Sequence, residues 1–489
     1  MLQNKKQFDD RLSGNIFKHR RLILILLLAF ILRLYRVDNP VLDWHSFRQA
    51  DTASVTREYV KHGIDLLRPK YDDLSNIQSG HDNLAGLRMV EFPILNGLTA
   101  VLIKLLPSLD EALIGRLISV GFSLISITAL YLLVKDVSGQ KIGLWSSLMM
   151  AVLPYSIYYS RVILPEPAML ACLLVSLWTF NRWLKSKRWQ DYGLSLITLT
   201  LGLLLKPYVI FMVPIYLALG ITQQGRAFFK NIPIYIYPLL AVTPLLLWRD
   251  WITQFPEGIP ASDWLLNGNG IRFRPAWFRW IFYERLTKMF LGWTGLLLCL
   301  PVLFKPYKKK EVVIYGAWWL GCLTYLSVFA SGNVQHDYYQ VLIIPILAIT
   351  LGVGLVRLLN FLTPKIGSTK TKLVIGIILG SSLSLAWYQV KGFFNVNHWE
   401  YQKAGLAVDQ LTPANALVIA PAMGDTQFLF QTNRRGWPIG FEIENKIKLG
   451  ATHYINTAQD DETKMLESNF TIIKKTQDYV LIDLTKLKE

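Results

Sequence analysis

Cysteine is scarce: 489 residues carry three, Cys172, Cys299 and Cys322, all within apolar segments. An odd, dispersed set of this kind excludes a disulfide framework and a cysteine-built metal site. Acids are also few, 34 against 51 Lys and Arg, which leaves a formal net charge of +17. Such an excess would suit nucleic acid if it were gathered on one soluble module, but here the basic residues punctuate apolar segments. A glycine-rich phosphate loop, an internal repeat and a low-complexity tract are all missing, so a nucleotide-driven machine or a solenoid has no support.

What is abundant is apolar. The chain is 52% hydrophobic and 13% aromatic, too apolar for a soluble protein of this length. It reads as an all-α polytopic membrane protein. A span needs about 20 residues, and segments of that kind fall near 21–37, 112–134, 142–160, 165–184, 190–205, 207–222, 231–249, 287–304, 311–330, 339–360 and 373–390, eleven in all. The basic run Lys18-His19-Arg20-Arg21 precedes the first of them, but no small-residue cleavage site follows, and Arg33, Tyr35 and Arg36 read as interfacial anchors of a retained span. Phe92 to Leu106 is short and carries Pro93, Asn96, Gly97 and Lys104. If it does not cross, Lys5 to Arg21, Lys135 and Lys141, Arg182 to Arg188, Arg226 and Lys230, Lys305 to Lys310 and Lys365 to Lys372 all share one side. That arrangement predicts a multi-pass cell-membrane protein with a cytoplasmic N-terminus, a first outer loop over 38–111 with surface helices, and an extracytoplasmic C-terminal end.

Residues 1–390 thus form a transmembrane module and residues 391–489 a small soluble α/β domain. In the latter, Tyr401, Ala404, Val408 and Leu411 mark an amphipathic helix, and Ala416 to Ala420, His453 to Ile455, Phe470 to Ile473 and Tyr479 to Leu484 read as strands.

The chemistry-bearing stretch is Leu42 to Pro69, just after the first span. It sets Asp43, His45, Arg48, Asp51 and Arg57 at a membrane interface, where polar groups are costly without a function. Ala53, Val55 and Tyr59 predict a short amphipathic helix over Thr52 to Val60 lying on the membrane surface. Asp51 then stands at its N-terminus, either as a plain N-cap or as a carboxylate kept ionised for use as a base. Further polar residues fall at span ends on the same side: Glu91, Arg116, Arg161, Glu166, Lys206, and the run His336-Asp337-Tyr338-Tyr339. The cations read equally as snorkelling helix ends, and the tyrosines as an aromatic belt. As a set, acids with cations at one membrane face suit a reaction in which a phosphate leaves while a carboxylate takes the proton of an attacking hydroxyl or amine.

The motifs His45-Ser46-Phe47-Arg48-Gln49-Ala50-Asp51-Thr52-Ala53, Glu91-Phe92-Pro93, Gly115-Arg116-Leu117, Tyr158-Tyr159-Ser160-Arg161 with Pro165-Glu166, Leu204-Leu205-Lys206-Pro207 and His336-Asp337-Tyr338-Tyr339 resemble the bacterial branch of the dolichyl-phosphate-mannose protein mannosyltransferases. This is glycosyltransferase family 39, whose relatives include the aminoarabinose transferases of lipid A. Each motif is short, and the specificity lies in their order over roughly the first 390 residues. The resemblance implies a GT-C fold of about 11 transmembrane helices. It also implies transfer of a hexose or pentose from a polyprenyl-phosphate donor to a protein, lipid or envelope-glycan acceptor, with no nucleic-acid partner. Arg48-Gln49 stand where the family has an Asp-Glu pair, so the expected base is Asp51, with Asp43 second. Lys206 matches the family's lysine after the fifth span and is the expected phosphate ligand, helped by Arg116, Arg161 and Arg48. His45, Gln49, Glu91, Glu166, His336, Asp337 and Tyr338 are expected to bind substrate. Glu91-Phe92-Pro93 replaces the Lys-Pro-Pro of the aminoarabinose transferases, and one phosphate-binding lysine is lost with it. No cofactor is expected, and a divalent metal lacks support because Asp72-Asp73 are adjacent rather than alternating. A transporter or lipid flippase would show paired halves and broken helices, and a membrane scaffold would not need the acid and cation set.

Overall fold

The computed structural model describes residues 20–304 and 308–488. The expectations for Lys5 to His19 and for Lys305 lie outside the described residues.

Helix α1 (20–33) leads through a turn into the loop that opens at Val37. Among the described residues, six helical runs are long and apolar enough to cross a membrane: Glu111–Ser138, Pro207–Lys230, Ile232–Ile252, Lys309–Val328, Asp337–Ile366 and the run beginning at Ser368. They coincide with six of the eleven expected spans. The other five take other forms. Expected span 142–160 divides into Gln140–Val152 and Pro154–Tyr159, because Pro154 has no amide to continue the ladder. Expected span 287–304 divides into a π-helical run Arg279–Phe290 and the short helices Leu296–Cys299 and Pro301–Phe304. The break falls at Gly292, which takes φ +50°, a conformation that costs glycine little. Glu166–Ser186 has most of its side chains buried inside the bundle. Its neighbour Trp189–Leu205 is 17 residues long. Close approach is built in locally: a Cβ on Gly352 would sit 2.7 Å from the Ser146 amide, so glycine lets Ile344–Ile366 pack on Gln140–Val152.

Helix α2 (Ser46–His62) is longer than the expected Thr52–Val60 and does not lie on a surface. Eleven of its residues, Arg48, Asp51, Arg57 and Glu58 among them, are buried. It is enclosed by α3 (Ile94–Leu105) and by the C-terminal helix Thr426–Gln431. His45 precedes it at φ 56°, and the helix begins nearly two turns before the expected Thr52, so Asp51 falls inside rather than at its end. Helix α3 has 12 residues, about 18 Å at 1.5 Å per residue, short of a hydrocarbon core about 30 Å thick.

The C-terminal sheet has β1 (Leu417–Ile419), β2 (Arg435–Trp437), β3 (His453–Asn456), β4 (Phe470–Lys475) and β5 (Val480–Leu487), in the order β2-β1-β3-β5-β4. Strands β2, β1 and β3 are parallel, and β5 runs antiparallel to both β3 and β4. Helix Trp399–Leu411 covers one face through Ala404 and Val408. Leu74, from the first long loop, completes the core of the other face beside Ile419, Tyr454 and Ile482. The same loop pairs with the free edge of β2: Leu74 N donates to Gly436 O at 2.8 Å, and Gly436 N to Asp72 O at 2.9 Å. Sheet and loop are therefore stitched together.

Candidate active site at the loop end of the bundle

A cavity of about 620 Å³ opens where α2, the strap 78–91, Lys206 to Tyr208, Ile259 to Leu266 and His336 to Tyr339 meet. Arg48 and Asp51 reach it from one face of α2, as a spacing of three allows. Lys206 reaches it because the helix Trp189–Leu205 must stop before Pro207, leaving Lys206 extended at φ −151°. Glu166 stands in the first turn of its helix, behind Pro165, where the macrodipole favours an acid.

Charges alternate around the wall. Glu91 is bonded to Arg48 and lies 2.7 Å from Lys206 Nζ, which is itself 2.9 Å from Glu166. Burial pushes the Glu91 carboxyl up, but Arg48 and Lys206 outweigh it and hold it far below the usual carboxylate range. Asp51 lies 2.7 Å from Arg88 and 3.9 Å from Arg48. It accepts a hydrogen bond of 2.7 Å from the Thr426 hydroxyl and one of 3.4 Å from Gln78. Arg249 lines the cavity with no hydrogen bond or ion pair to another described residue.

Asp43 lies elsewhere. Arg116 and Arg161 grip its Oδ2 at 3.1 and 2.6 Å, and Gln49 donates to Oδ1 at 2.7 Å. Asp43 and both guanidinium groups are fully buried. Arg116 also donates to the carbonyls of Val37, Asn39 and Pro40, and Arg161 to that of Arg36. These two arginines, read from sequence as phosphate ligands, fasten the chain after α1 and line no described cavity. Gln49 belongs to this clamp and accepts from the Ile163 amide at 3.2 Å.

A third group surrounds Asp337, which is buried and takes His45 Nε2 at 2.6 Å, the Tyr159 hydroxyl, Trp44 at 3.1 Å and Arg285 at 3.6 Å. His336 and Tyr338 stack at 5.4 Å on the cavity side of this group. Burial, reinforced by His45, pushes His336 down to about 4, so its imidazole is neutral near pH 7.

Of the residues singled out in the sequence, the cavity gathers Arg48, Asp51, Glu91, Lys206, His336 and Tyr338, with Glu166 behind Lys206 and His45 and Asp337 behind His336. It leaves Asp43, Gln49, Arg116 and Arg161 in the clamp. Four cavity residues carried no sequence signal of their own. Arg88 sits in an irregular strap, Tyr208 sat inside an expected span, and Trp264 lies in a loop. Arg249 is the last residue of its expected span. Thr426, behind Asp51, lies in the part of the chain the family resemblance does not reach.

The class is a polytopic membrane protein with a charged cavity at the loop end of its bundle. Residues 95–248 match the family model described as dolichyl-phosphate-mannose-protein mannosyltransferase. Among solved structures, ArnT from Cupriavidus metallidurans bound to undecaprenyl phosphate is similar at a TM-score of 0.66 and 13% identity, over 95% of this chain and 98% of that one. The oligosaccharyltransferase AglB from Archaeoglobus fulgidus, in complex with an inhibitory peptide and a dolichol-phosphate, reaches 0.58 and 10% over 94% and 73%. The arabinofuranosyltransferase AftD from Mycobacteria reaches 0.58 and 12% over 95% and 41%. No curated protein matches the chain by sequence. The chain has the GT-C fold of membrane glycosyltransferases.

Proposed function

We propose that this protein is an integral membrane glycosyltransferase. It would move a hexose or pentose from a polyprenyl-phosphate donor to a protein, lipid or envelope-glycan acceptor on the outer face of the cell membrane. The observation that carries this reading is the cavity that sets the Asp51 carboxylate and Arg48 on one wall and Lys206 and Arg249 on the others. An acceptor hydroxyl or amine attacks the anomeric carbon as the bond from that carbon to the phosphate oxygen breaks. The electron pair stays on the lipid phosphate, whose charge the cations meet, and the acceptor proton passes to Asp51.

Lys206 is committed to Glu91 and Glu166, and Arg48 to Glu91 with Asp51 at 3.9 Å, so Arg249 is the cation with most to offer an incoming phosphate. We assign Arg249 as first phosphate ligand, with Lys206 and Arg48 supporting. The ArnT and AglB structures hold lipid phosphates, and this supports a lipid-linked donor here. Residues 391–489 are assigned outside the membrane with the first loop, and the N-terminus to the cytoplasm. The chain's own cations take the charge, so chelation is expected to leave turnover unchanged.

The test incubates purified full-length protein with radiolabelled undecaprenyl-phosphate sugars and a membrane extract, then follows the label. Transfer to an acceptor, abolished in Asp51→Asn, supports the reading. Label that stays on the lipid with every donor overturns it.

A further inference from the structure

Asp51 is held on one side by a residue from the far end of the chain. We infer that Thr426 is a positioning residue for Asp51, so that the C-terminal α/β unit supplies part of the transferase site and does not merely sit above it. This inference rests on the function proposed above.

The Thr426 hydroxyl donates to Asp51 Oδ1 at 2.7 Å and is buried; it also lies 3.2 Å from the Phe47 carbonyl. Arg88 takes the other oxygen, Oδ2, at 2.7 Å. Oδ2 thus carries Arg88, with Gln78 at 3.4 Å and Arg48 at 3.9 Å beyond it, while Oδ1 takes the neutral hydroxyl, and the carboxylate plane is fixed between them. A hydroxyl suits this place. It stabilises the ionised form and fixes direction, yet it can yield to an acceptor hydroxyl more readily than an ion pair can.

Local structure delivers Thr426 to this place. Met423 and Gly424 both take positive φ, 54° and 84°, turning the chain into the short helix Thr426–Gln431, and Gly424 itself lines the cavity. Asp425 caps that helix by accepting from the Gln427 amide at 2.8 Å. The helix is anchored one turn along, where Arg57 of α2 donates to the Phe430 carbonyl at 2.7 Å and stacks on the Phe430 ring at 3.9 Å. Thr426 is therefore referenced to the same helix that carries Asp51, and an error in one moves with the other.

The charged and titratable groups facing Asp51 are Arg48 on its own helix, Arg88, Tyr71 and Asp73 on the first loop, and Asp425 beside Thr426. Removing the hydroxyl leaves the two neighbouring acids opposing the ionised form with one donor fewer against them. The acid limb of the rate profile then moves to higher pH.

The test uses full-length protein in detergent and undecaprenyl-phosphate-linked radiolabelled sugar as donor. Thr426→Val should lower kcat about tenfold, the scale of one hydrogen bond to a charged group, leave donor KM unchanged, and shift the acid limb upward. Thr426→Ser should restore both. Thermal unfolding of Thr426→Val, Asp51→Asn and the double variant is read alongside, and the shifts should fall short of additive because one bond is lost twice. Additive thermal shifts, or an acid limb that stays in place in Thr426→Val, would overturn the inference. A wild-type chain that transfers no sugar refutes the transferase reading, and the two failures are distinguishable because the thermal cycle needs no donor.

Discussion

Asp43 and Asp51 lie eight positions apart, on either side of the start of one helix, and both are met by arginines, but their surroundings differ. Asp43 has two guanidinium groups on one oxygen, an amide on the other, and no solvent. Its partners continue into the backbone carbonyls of Arg36, Val37, Asn39 and Pro40, so the group works as a fastener. Asp51 has Arg88 at 2.7 Å with Arg48 at 3.9 Å and Gln78 at 3.4 Å on one oxygen, a hydroxyl on the other, and the wall of the charged cavity beside it. A carboxylate whose lone pairs are all taken inside the protein has none to direct at a substrate. One held at the wall of the charged cavity, however many partners it has, keeps a side toward what that cavity admits. Position against that cavity, more than burial or partner number, separates the structural acid from the proposed base.

That contrast can be broken most directly at Asp51. Asp51→Asn keeps the shape and loses the base, and turnover should fall by at least about a hundredfold, the usual scale for a general base, with solubilised yield unchanged. Normal turnover in that variant, together with a well-folded but inactive Asp43→Asn, would exchange the two roles. Asp43→Asn should act on the fold. It leaves two buried guanidinium groups undercompensated, a loss on the order of 3–5 kcal/mol, read as a lower unfolding temperature and poor recovery from membranes.

A smaller effect sharpens the phosphate side. Arg249→Gln should raise donor KM about tenfold or more, as loss of a charge-assisted bond would. Lys206→Gln should weaken donor use and also lower thermal stability, since it strands Glu91 and Glu166 together. If only Lys206→Gln affects the donor, the phosphate sits on Lys206 and Arg249 is an anchor.

The smallest effect concerns the seam between loop and sheet. Burial pushes Asp73 up to about 7, with the nearby Asp51 charge adding to it against the Ser75 hydrogen bonds. An acid raised in the folded state binds its proton there more tightly than in the unfolded chain. Its contribution is therefore full near pH 4 and is lost as pH rises through about 7. Asp73→Asn mimics the protonated form and should flatten that decline, measured as unfolding temperature between pH 5 and 8. A decline as steep as wild type would remove Asp73 as its cause.

Much of the fold was legible because its signals are local. Apolar run lengths gave six helices directly, and the short apolar run in Tyr479 to Leu484 gave β5. Strand β2 was missed because Arg435-Gly436-Trp437 has no alternation and owes its strand form to β1 on one side and residues 72–74 on the other. The short amphipathic helix was expected too far along because His45, a left-handed starter, resembles no capping residue. Arg116 and Arg161 were placed among the phosphate ligands because a sequence cannot distinguish a guanidinium aimed into a cavity from one closing on an acid. The order of the motifs was enough to place Asp51, Glu91 and Lys206 together. Arg249 and Thr426 depended on contacts that only three dimensions supply.

The pairing of residues 72–74 with Gly436 has a temporal consequence. The ribosome delivers the first loop more than 350 residues before the strand edge that completes it. Until that edge arrives, Asp72 and Leu74 have no sheet to join, and Asp51 lacks its hydroxyl partner. The nascent chain therefore threads its membrane helices with this end of the bundle unfinished, and the seam closes only when the last fifth of the protein is made.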